Sequence, residues 1–316
     1  MTSSKSLPRR RLFSLAAASL AAPAILRASP KPLRAGVYKG QDKTLLPLAG
    51  QADFPYPVQY FEFSSGQLII EAINAGALDY GSWSEIPQAF AAAGRAQVRA
   101  IAVLRGDVND QVVLVRKDAG ISSIAGLKGK RVGYVRATTS HYYLLRMLWQ
   151  AGLDFTDIQA INLSPTDGAA AFAAGDLDAW AIYGYPIYEA LAAGHAEVLR
   201  TAQGILSGNY LLGASLAALA DSALRASIVD YVGRVGRTYG WAEANKPAWS
   251  KALAQTIQVK QSYIDYELYH ESQPERLTKL DDGVVASTQA VADTFSKAGL
   301  LPTGVDVKPY FDYSII

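Results

Sequence analysis

Hydroxyl and amide side chains recur in this chain where a predicted strand gives way to a predicted helix. Residues 131–135 have the pattern of a short buried strand, and leucines after residue 143 recur at helical spacing. The turn between them carries Thr138, Thr139, Ser140 and His141. A helix start presents unpaired backbone N–H groups and the positive end of the helix dipole, which favour an anion. The alternative is an ordinary N-cap, in which Thr139 or Ser140 satisfies the first-turn amides.

The same transition is predicted at other strand ends. Strands predicted at residues 33–38, 58–63 and 179–183 each lead into small, hydroxyl, amide or aromatic residues. Ligands of α/β proteins bind where strands end and helices begin, so we expect these turns to line one cleft. The predicted ligand-binding residues are Gln41, Ser65, Gly66, Gln67, Ser82, Trp83, Ser84, Glu85, Thr138, Thr139, Ser140, His141, Tyr142, Asp167, Tyr183 and Tyr185.

These residue types suit a small anion that is bound and later released. Hydroxyls, amides and helix N-termini supply hydrogen-bond donors without a fixed cation, whereas an arginine clamp would release its ligand more slowly. Glu85 and Asp167 have a second interpretation, as solvated or capping carboxylates. Among the aromatic residues, Trp83 and Tyr183 have the strongest case for lining the cleft, because each lies at a predicted strand end.

The sequence gives little support for an enzyme. The three histidines, His141, His195 and His270, are widely spaced and lack a metal-ligand pattern. The chain has no GxSxG, Walker or GxGxxG motif and no cysteine, which excludes a catalytic thiol, a disulfide and a lipoprotein anchor. We therefore predict a protein that is not an enzyme and has no cofactor and no metal.

The predicted elements divide into two α/β domains. Strands at residues 111–116 and 210–215 are interpreted as two crossings, so domain 1 is predicted at 33–114 plus 214–316 and domain 2 at 115–213. Both halves contain a Gly-x-Leu-Asp segment after a helix, with glycines at Gly76 and Gly175. Helices predicted at 220–245, 247–259 and 281–298 are expected to pack on domain 1.

The first residues have the features of an export signal. Arg9, Arg10 and Arg11 precede an apolar, Ala-rich run, and the start resembles a twin-arginine signal, so residues 1–28 are predicted to be cleaved. Removing the five basic residues of this segment from the formal charge of +2 leaves −3. We therefore expect a periplasmic, soluble protein without a nucleic-acid partner.

Several segments resemble a known family. LKGKRVGYV, TSHYYLLRML, AGLDFTDIQAINLSP, AAFAAGDLDAWAI and SSGQLIIEAINAGALDYGSWSEIPQAF resemble the periplasmic substrate-binding proteins of ABC importers for aliphatic sulfonates, within the nitrate/sulfonate/taurine-binding group. TSHYYLL is also similar to the taurine-binding branch. The resemblance implies a two-domain type II periplasmic-binding-protein fold with a central ligand cleft and two interdomain crossings. It further implies a monomer that closes on an organosulfonate and docks on an ABC permease in the inner membrane.

The chain departs from the family pattern beside the predicted cleft. An acidic residue that usually follows the AIW strand is absent from the segment containing Tyr183 and Gly184, the loop after Gly40 is unusual, and Trp83 with Glu85 replaces a smaller turn. Three alternatives therefore stay open. They are a receptor for nitrate, a sulfate ester or an aromatic sulfonate; an enzyme similar to thiamine-pyrimidine synthases; and a sensor or scaffold without transport.

Overall fold

The computed structural model describes residues 31–315. The predicted export signal at residues 1–28 therefore lies outside the described residues. Within the described part of the chain, none of the helices combines the length and the apolar character needed to cross a bilayer.

Six strands form the first sheet. They are β1 (Leu33–Val37), β2 (Val58–Glu62), β3 (Tyr80–Ser84), β4 (Val98–Arg105), β10 (Asn209–Ser215) and β11 (Arg276–Thr278). Their order across the sheet is β11-β4-β10-β3-β1-β2. β1 is parallel to β2 and to β3, whereas β10 runs antiparallel to β3 and β4. The carboxyl ends of β1, β2 and β3 therefore lie at one edge of this sheet.

Five strands form the second sheet. They are β5 (Gln111–Arg116), β6 (Arg131–Tyr134), β7 (Gln159–Asn162), β8 (Ala179–Tyr183) and β9 (Ala196–Thr201), in the order β7-β6-β8-β5-β9. β6 is parallel to β7 and β8, and β5 is antiparallel to its neighbours. The chain thus passes between the sheets at residues 106–110 and 202–208. The domain limits expected from the sequence stay a prediction.

Eleven α-helices lie within residues 31–315. They are α1 (Asp42–Leu48), α2 (Gly66–Asn74), α3 (Glu85–Ala93), α4 (Thr139–Gln150), α5 (Pro165–Ala174), α6 (Pro186–Ala192), α7 (Leu216–Ala220), α8 (Ser222–Ala244), α9 (Lys246–Ile257), α10 (Gln261–Tyr269) and α11 (Asp282–Lys297).

Helices cover both faces of each mixed sheet, so the strands are buried on both sides. Residues of α2, α3 and α11 form a buried cluster on one face of the first sheet, and residues of α1, α8 and α9 form another on the opposite face. In the second sheet, α4 packs on one face and α5 with α6 on the other. We call each sheet with its helices a lobe. Tyr142 and Leu145 of α4 join the α11 cluster of the first lobe, so the lobes share buried contacts.

The first lobe contains a clamp between the starts of β1 and β3. Asp79 accepts hydrogen bonds from the Arg34 backbone N–H at 2.9 Å, from its Nε at 3.0 Å and from its Nη2 at 2.6 Å. The Arg34 Nη1 group also donates to the Gly76 carbonyl at the end of α2, at 2.7 Å. One guanidinium therefore joins two neighbouring strands and the turn that leads from α2 into β3.

The second lobe repeats this clamp. Asp178 accepts from the Arg131 backbone N–H at 2.8 Å, from Nε at 3.2 Å and from Nη2 at 2.7 Å, and Nη2 also donates to the Gly175 carbonyl at 2.9 Å. The Gly-x-Leu-Asp echo in the sequence thus corresponds to the same ion pair at the same place in β6 and β8 as in β1 and β3. The lobes share one βα plan.

Candidate functional site

The candidate site is built from strand-to-helix turns in both lobes. Parallel strands β1, β2 and β3 end in turns that begin α1, α2 and α3, and β6, β7 and β8 end in turns that begin α4, α5 and α6. A pocket at this junction is lined by both lobes and both crossings. Its lining residues are Ser84, Glu85, Ile86, Val108, Thr139, Leu206, Ser207, Gly208, Asn209 and Tyr210. Three predicted ligand residues, Ser84, Glu85 and Thr139, are among them.

The turn before α4 is held by its own hydroxyls. Thr138 Oγ1 donates to the Val135 carbonyl at 2.7 Å, and Ser140 Oγ accepts from the Val135 N–H at 3.0 Å. The two hydroxyls lie 3.0 Å apart, and Ala137 adopts a left-handed conformation with φ of 57°. A non-glycine residue in that region costs free energy and recurs at functional turns. Internal hydrogen bonds thus fix the backbone of this turn.

The first turn of α4 has no side-chain cap. Thr138 is the N-cap residue, in extended conformation, and its side chain makes no capping hydrogen bond. The interpretation of Thr139 or Ser140 as an ordinary N-cap is therefore wrong, because Thr139 Oγ1 donates to Gln111 Oε1 at 2.6 Å and Ser140 reaches back to Val135. The backbone N–H groups at this helix start can donate hydrogen bonds to an anion.

His141 lies within the core rather than on the turn surface. It is 3% exposed, its ring contacts Tyr134, Phe155 and Phe295, and its Nδ1 accepts from the Ala137 N–H at 3.3 Å. Burial, with a contribution from the Arg136 charge, lowers the pKa of His141 to about 4. The imidazole is therefore neutral near pH 7 and adds no positive charge to the turn.

Thr138 and Thr139 are buried too, at 6% and 8% exposed, and so are three further predicted ligand residues. Trp83 is 1% exposed and donates from Nε1 to Gln88 Oε1 at 2.7 Å. Tyr142 is 4% exposed and packs on Phe295 across the lobes. Ser140 is fully buried. The side chains of these residues support the turns from behind, because alternation along a strand or helix directs them into the core.

Glu85 has a buried carboxylate that accepts hydrogen bonds from four side chains. Its carboxylate accepts from Asn209 Nδ2 at 2.9 Å, from Ser287 Oγ at 3.0 Å and from Thr288 Oγ1 at 3.3 Å, and also from the Ser207 hydroxyl. Burial raises its pKa, and these hydrogen bonds oppose that shift. The carboxylate joins the start of α3 to α11 and to the second crossing.

The first-lobe turns present partly exposed polar groups. Gln41, Ser65, Gln67, Ser82 and Ser84 are all half-buried. Ser65 caps α2 by accepting from the Leu68 N–H at 3.4 Å, whereas neither Gln41 nor Ser84 makes a side-chain cap at its helix. Gln67 Nε2 donates to Glu71 at 3.0 Å, and its Oε1 is buried without a hydrogen-bond partner among residues 31–315.

The second-lobe candidates differ in exposure. Tyr183 is half-buried at the end of β8, and Tyr185 is 41% exposed. Asp167 is exposed in the first turn of α5, where its carboxylate accepts from Ser164 Oγ at 2.7 Å and its N–H donates back to that hydroxyl at 3.1 Å. This geometry supports the capping interpretation of Asp167. The assignment of all these residues to a ligand stays a prediction.

Two kinds of residue at the site were missing from the prediction. Tyr38 directly follows β1, and its hydroxyl donates to the Ser82 carbonyl at 3.2 Å. Its place at the carboxyl end of a predicted strand was the signal that could have identified it. Lys39 and Arg136 also lie in these turns, but both side chains are exposed, so water and salt screen their charge. Within residues 31–315, no group of three or more acidic or histidine side chains could hold a metal.

Comparison with known proteins places this fold in a family. Residues 57–204 match the model described as NMT1/THI5 like. The chain is 32% identical over 286 residues to the aliphatic sulfonates-binding protein of Escherichia coli strain K12, covering 89% of this chain and 88% of that protein.

Solved structures agree with this match. The alkanesulfonate-binding protein SsuA from Xanthomonas axonopodis pv. citri bound to MOPS superimposes with a TM-score of 0.82 at 30% identity, over 90% of this chain and 99% of that one. The periplasmic aliphatic sulphonate binding protein SsuA from Escherichia coli gives a TM-score of 0.77 at 30% identity, over 89% and 92%.

An enzyme shares the architecture at lower similarity. The desulfurization enzyme DszB gives a TM-score of 0.63 at 15% identity, which shows the fold alone. The predicted α/β periplasmic-binding-protein fold and the family resemblance are confirmed. On the relative that matches almost its whole length, the chain belongs to the family of aliphatic sulfonate-binding proteins.

Proposed function

We propose that this protein is a periplasmic receptor that captures a small organosulfonate and delivers it to an ABC importer. The observation that carries the proposal is the match over 90% of the chain to SsuA bound to MOPS, a molecule with a sulfonate group. The uncapped start of α4 and the half-buried hydroxyls and amides of the first-lobe turns supply donors for such a group.

The proposed mechanism is closure of the two lobes on the anion. Closure removes the sulfonate from water, and hydrogen bonds to it strengthen in the lower dielectric. Hinge motion at residues 106–110 and 202–208 would be the mechanical basis, and the closed form would be the one that the permease recognises. The receptor would act as a monomer in the periplasm, where it arrives by export with removal of its predicted signal.

The arrangement of carboxylates favours a ligand tail without an ammonium group. Glu85 is 4% exposed and its oxygens accept hydrogen bonds from four side chains of its own lobe and the crossing. Asp167 is engaged by Ser164. Because both carboxylates already accept hydrogen bonds from protein side chains, we propose that neither pairs with the ammonium group of taurine. We therefore expect an alkanesulfonate to bind more tightly than taurine.

We also propose that the protein does no chemistry on its ligand. The chain contains no cysteine, and His141 is buried and neutral near pH 7. An enzyme similar to thiamine-pyrimidine synthases would require turnover by other groups. Chemical conversion of the sulfonate ligand over hours in the presence of purified protein would contradict the receptor assignment.

Calorimetric titration of the mature chain, from about residue 28 onward, tests the proposal. The ligand-stripped protein is titrated with ethanesulfonate, a long-chain sulfonate, an aromatic sulfonate, taurine, sulfate and nitrate. We expect micromolar or tighter binding of at least one sulfonate, with sulfate and nitrate silent; a micromolar Kd corresponds to about −8 kcal/mol. Tight binding of nitrate without binding of any sulfonate would reassign the receptor to another anion. Absence of binding to every compound tested would contradict the proposed function.

A further inference from the structure

A segment of the first lobe lies against the first crossing between the lobes. Residues 270–273 follow α10 and lead towards β11, and we call them the brace. Ser272 donates to the Asp107 carboxylate from its backbone N–H at 2.5 Å and from its Oγ at 2.6 Å. The same Oγ accepts from the Val108 N–H at 3.1 Å. One serine of the brace therefore holds two successive residues of the crossing.

Two amide side chains extend this contact. Asn109 Nδ2 donates to the His270 carbonyl at 3.0 Å, and Gln273 Nε2 donates to the Gly106 carbonyl at 2.8 Å. A Cβ on Gly208, in the second crossing, would lie 2.7 Å from the same Gln273 Nε2 and 2.6 Å from the Gly106 carbonyl oxygen. The brace thus ties four successive residues of the first crossing to the first lobe, and the second crossing packs closely beside them.

The contacts of the first crossing change lobes at Asp110. Its N–H donates to Asp107 Oδ2 at 3.2 Å, on the side that the brace holds. Its carbonyl accepts from the Gly184 N–H of the second lobe at 2.8 Å, and the next residue begins β5. The φ and ψ rotations of Asp110 can therefore turn one lobe against the other while the hydrogen bonds of the brace stay intact.

The contacts of the second crossing change lobes between Leu206 and Ser207. The Leu206 N–H donates to the Ala202 carbonyl at 3.1 Å, and the Ala202 N–H donates to the Gln111 carbonyl of β5 at 2.7 Å. The Ser207 hydroxyl instead donates to Glu85 of α3, in the first lobe. Each crossing thus has one short place where the hydrogen bonds to one lobe end and those to the other begin.

We propose that the brace confines rotation of the lobes to Asp110 and to the link between Leu206 and Ser207, and that Asp107 and Ser272 are positioning residues for closure. This inference rests on the proposed closure of the lobes on a ligand. Without the brace, the preceding residues of the first crossing would rotate as well, which adds open conformations with misaligned lobes. The apparent affinity falls in proportion to the fraction of molecules that are competent to bind.

Distances between spin labels on the two lobes test the brace, and a chain without cysteine accepts such labels at chosen positions. Ala217→Cys on α7 and Ala173→Cys on α5 place one label at an exposed position of each lobe. In this labelled protein without ligand, Ser272→Ala and Asp107→Asn should each broaden the distribution of distances. Asp107→Asn is the more selective change, because it keeps Oδ1 and removes the acceptor of the Asp110 N–H.

Calorimetry with ethanesulfonate measures the effect on binding. Ser272→Ala and Asp107→Asn should each weaken binding by about 3- to 10-fold, because closure must then order a longer segment of backbone. Ser272→Thr keeps the hydroxyl and should restore both the wild-type affinity and the wild-type distances. All variants should keep the wild-type melting temperature within a few degrees.

Ser296→Ala is the matched control, since it removes a serine hydroxyl that donates to the Pro302 carbonyl at 2.7 Å, elsewhere in the first lobe. It should change neither the distances nor the affinity, and broadening by this variant too would overturn the inference. Ethanesulfonate that narrows the wild-type distribution and those of Ser272→Ala and Asp107→Asn equally, from equal widths, would overturn the inference while the receptor assignment stands. A wild-type distribution that no compound of the calorimetric panel changes would contradict the proposed closure, whereas broadening by the two variants would still support the hinge positions.

Discussion

At the scale of single residues, burial separates the groups that support the site from those that can meet a ligand. Glu85 and Gln67 are both polar residues in turns that begin helices, yet Glu85 is 4% exposed and satisfied by protein donors, whereas Gln67 is half-buried and its Oε1 has no hydrogen-bond partner among residues 31–315. A buried carboxylate is stable only with such hydrogen bonds, so Glu85 stabilises the turn from within.

Removal of the Glu85 carboxylate should destabilise the fold. Glu85→Ala removes the acceptor of the buried Asn209 Nδ2 group and of the Ser207 and Ser287 hydroxyls, and we expect a loss of about 3 kcal/mol or more in the free energy of unfolding. Glu85→Gln keeps the shape and one acceptor oxygen, so its loss should be smaller. Urea denaturation measures both.

The same two variants test the sequence-based prediction that Glu85 binds the ligand. If the carboxylate acts only inside the protein, Glu85→Gln should keep the wild-type affinity for ethanesulfonate within about threefold. An affinity change of tenfold or more without a matching loss of stability would place Glu85 at the ligand.

His141 should make stability fall at acid pH. Its pKa of about 4 in the folded protein lies below the ordinary value of 6.5. Between these values the unfolded chain takes up a proton that the folded chain does not, so stability is full above about pH 6.5 and is lost as the pH falls towards 4. His141→Asn should lose less melting temperature between pH 7 and pH 5 than the wild type.

His270→Asn is the control for this measurement, since His270 is exposed. It should follow the wild-type dependence on pH. Equal slopes for the wild type and His141→Asn would show that another group causes the acid sensitivity.

At the scale of elements, the two lobes use one device to fix the strands that carry the site. Arg34 with Asp79 joins β1 to β3, and Arg131 with Asp178 joins β6 to β8. Each clamp lies at the amino ends of its strands, opposite the turns that would bind a ligand. In both clamps the aspartate accepts from the backbone N–H, Nε and Nη2 of its arginine. The Asp79 side chain, however, is 4% exposed and that of Asp178 is 22% exposed.

This difference in burial predicts unequal effects of one substitution. Asp79→Asn replaces an acceptor oxygen in the buried clamp and should reduce the free energy of unfolding by about 1–3 kcal/mol, whereas Asp178→Asn should cost less because water can replace the lost bond. Denaturation of the two variants side by side measures this. An equal or larger loss for Asp178→Asn would contradict the argument from burial.

Sequence patterns located most of the elements near the site. The strand predicted at residues 179–183 is β8, and those predicted at 33–38 and 58–63 differ from β1 and β2 by one residue at the end. Helices α1 and α10 and strand β9 were not predicted. α1 contains Pro47, and β9 has one buried residue, then two exposed and three half-buried ones, without alternation, so their stability comes from packing on other elements rather than from a clear local pattern.

At the scale of the whole molecule, acidic side chains gather beside the first crossing. Burial and the neighbouring Asp110 charge raise the pKa of Glu275 to about 8, and burial with the Asp107 charge raises that of Asp110 to about 7. A Cβ on Gly106 would lie 2.8 Å from Glu275 Cγ, which places this carboxyl against the crossing itself. Ionisation of these carboxyl groups beside the segment that links the lobes should therefore lower the free energy of unfolding as the pH rises.

Glu275 should make the protein less stable at alkaline pH. Its folded pKa of about 8 lies above the ordinary 4.5, so its stabilising contribution is full below about pH 4.5 and is lost as the pH rises to 8. Glu275→Gln should raise the melting temperature at pH 8 by several degrees and change it less at pH 5. Differential scanning fluorimetry at both values measures the effect.

Glu197→Gln, at an exposed position of β9, removes the same charge elsewhere. It should leave the difference between pH 5 and pH 8 unchanged. An equal gain from both variants would mean that net charge, and not the half-buried position of Glu275 against the crossing, sets the dependence.

The sequence by itself determined the family, the α/β class and the repeated βα plan, and it predicted the turns where a ligand would bind. It did so because local periodicity, glycine positions and turn residues are properties of short segments. Only the tertiary structure decided which side chains of those turns face inwards. Glu85 and His141 are satisfied by residues far away in the chain, such as Asn209 and Phe295. Tyr38, which the prediction omitted, acquires its place only when β1, β3 and the start of α2 come together.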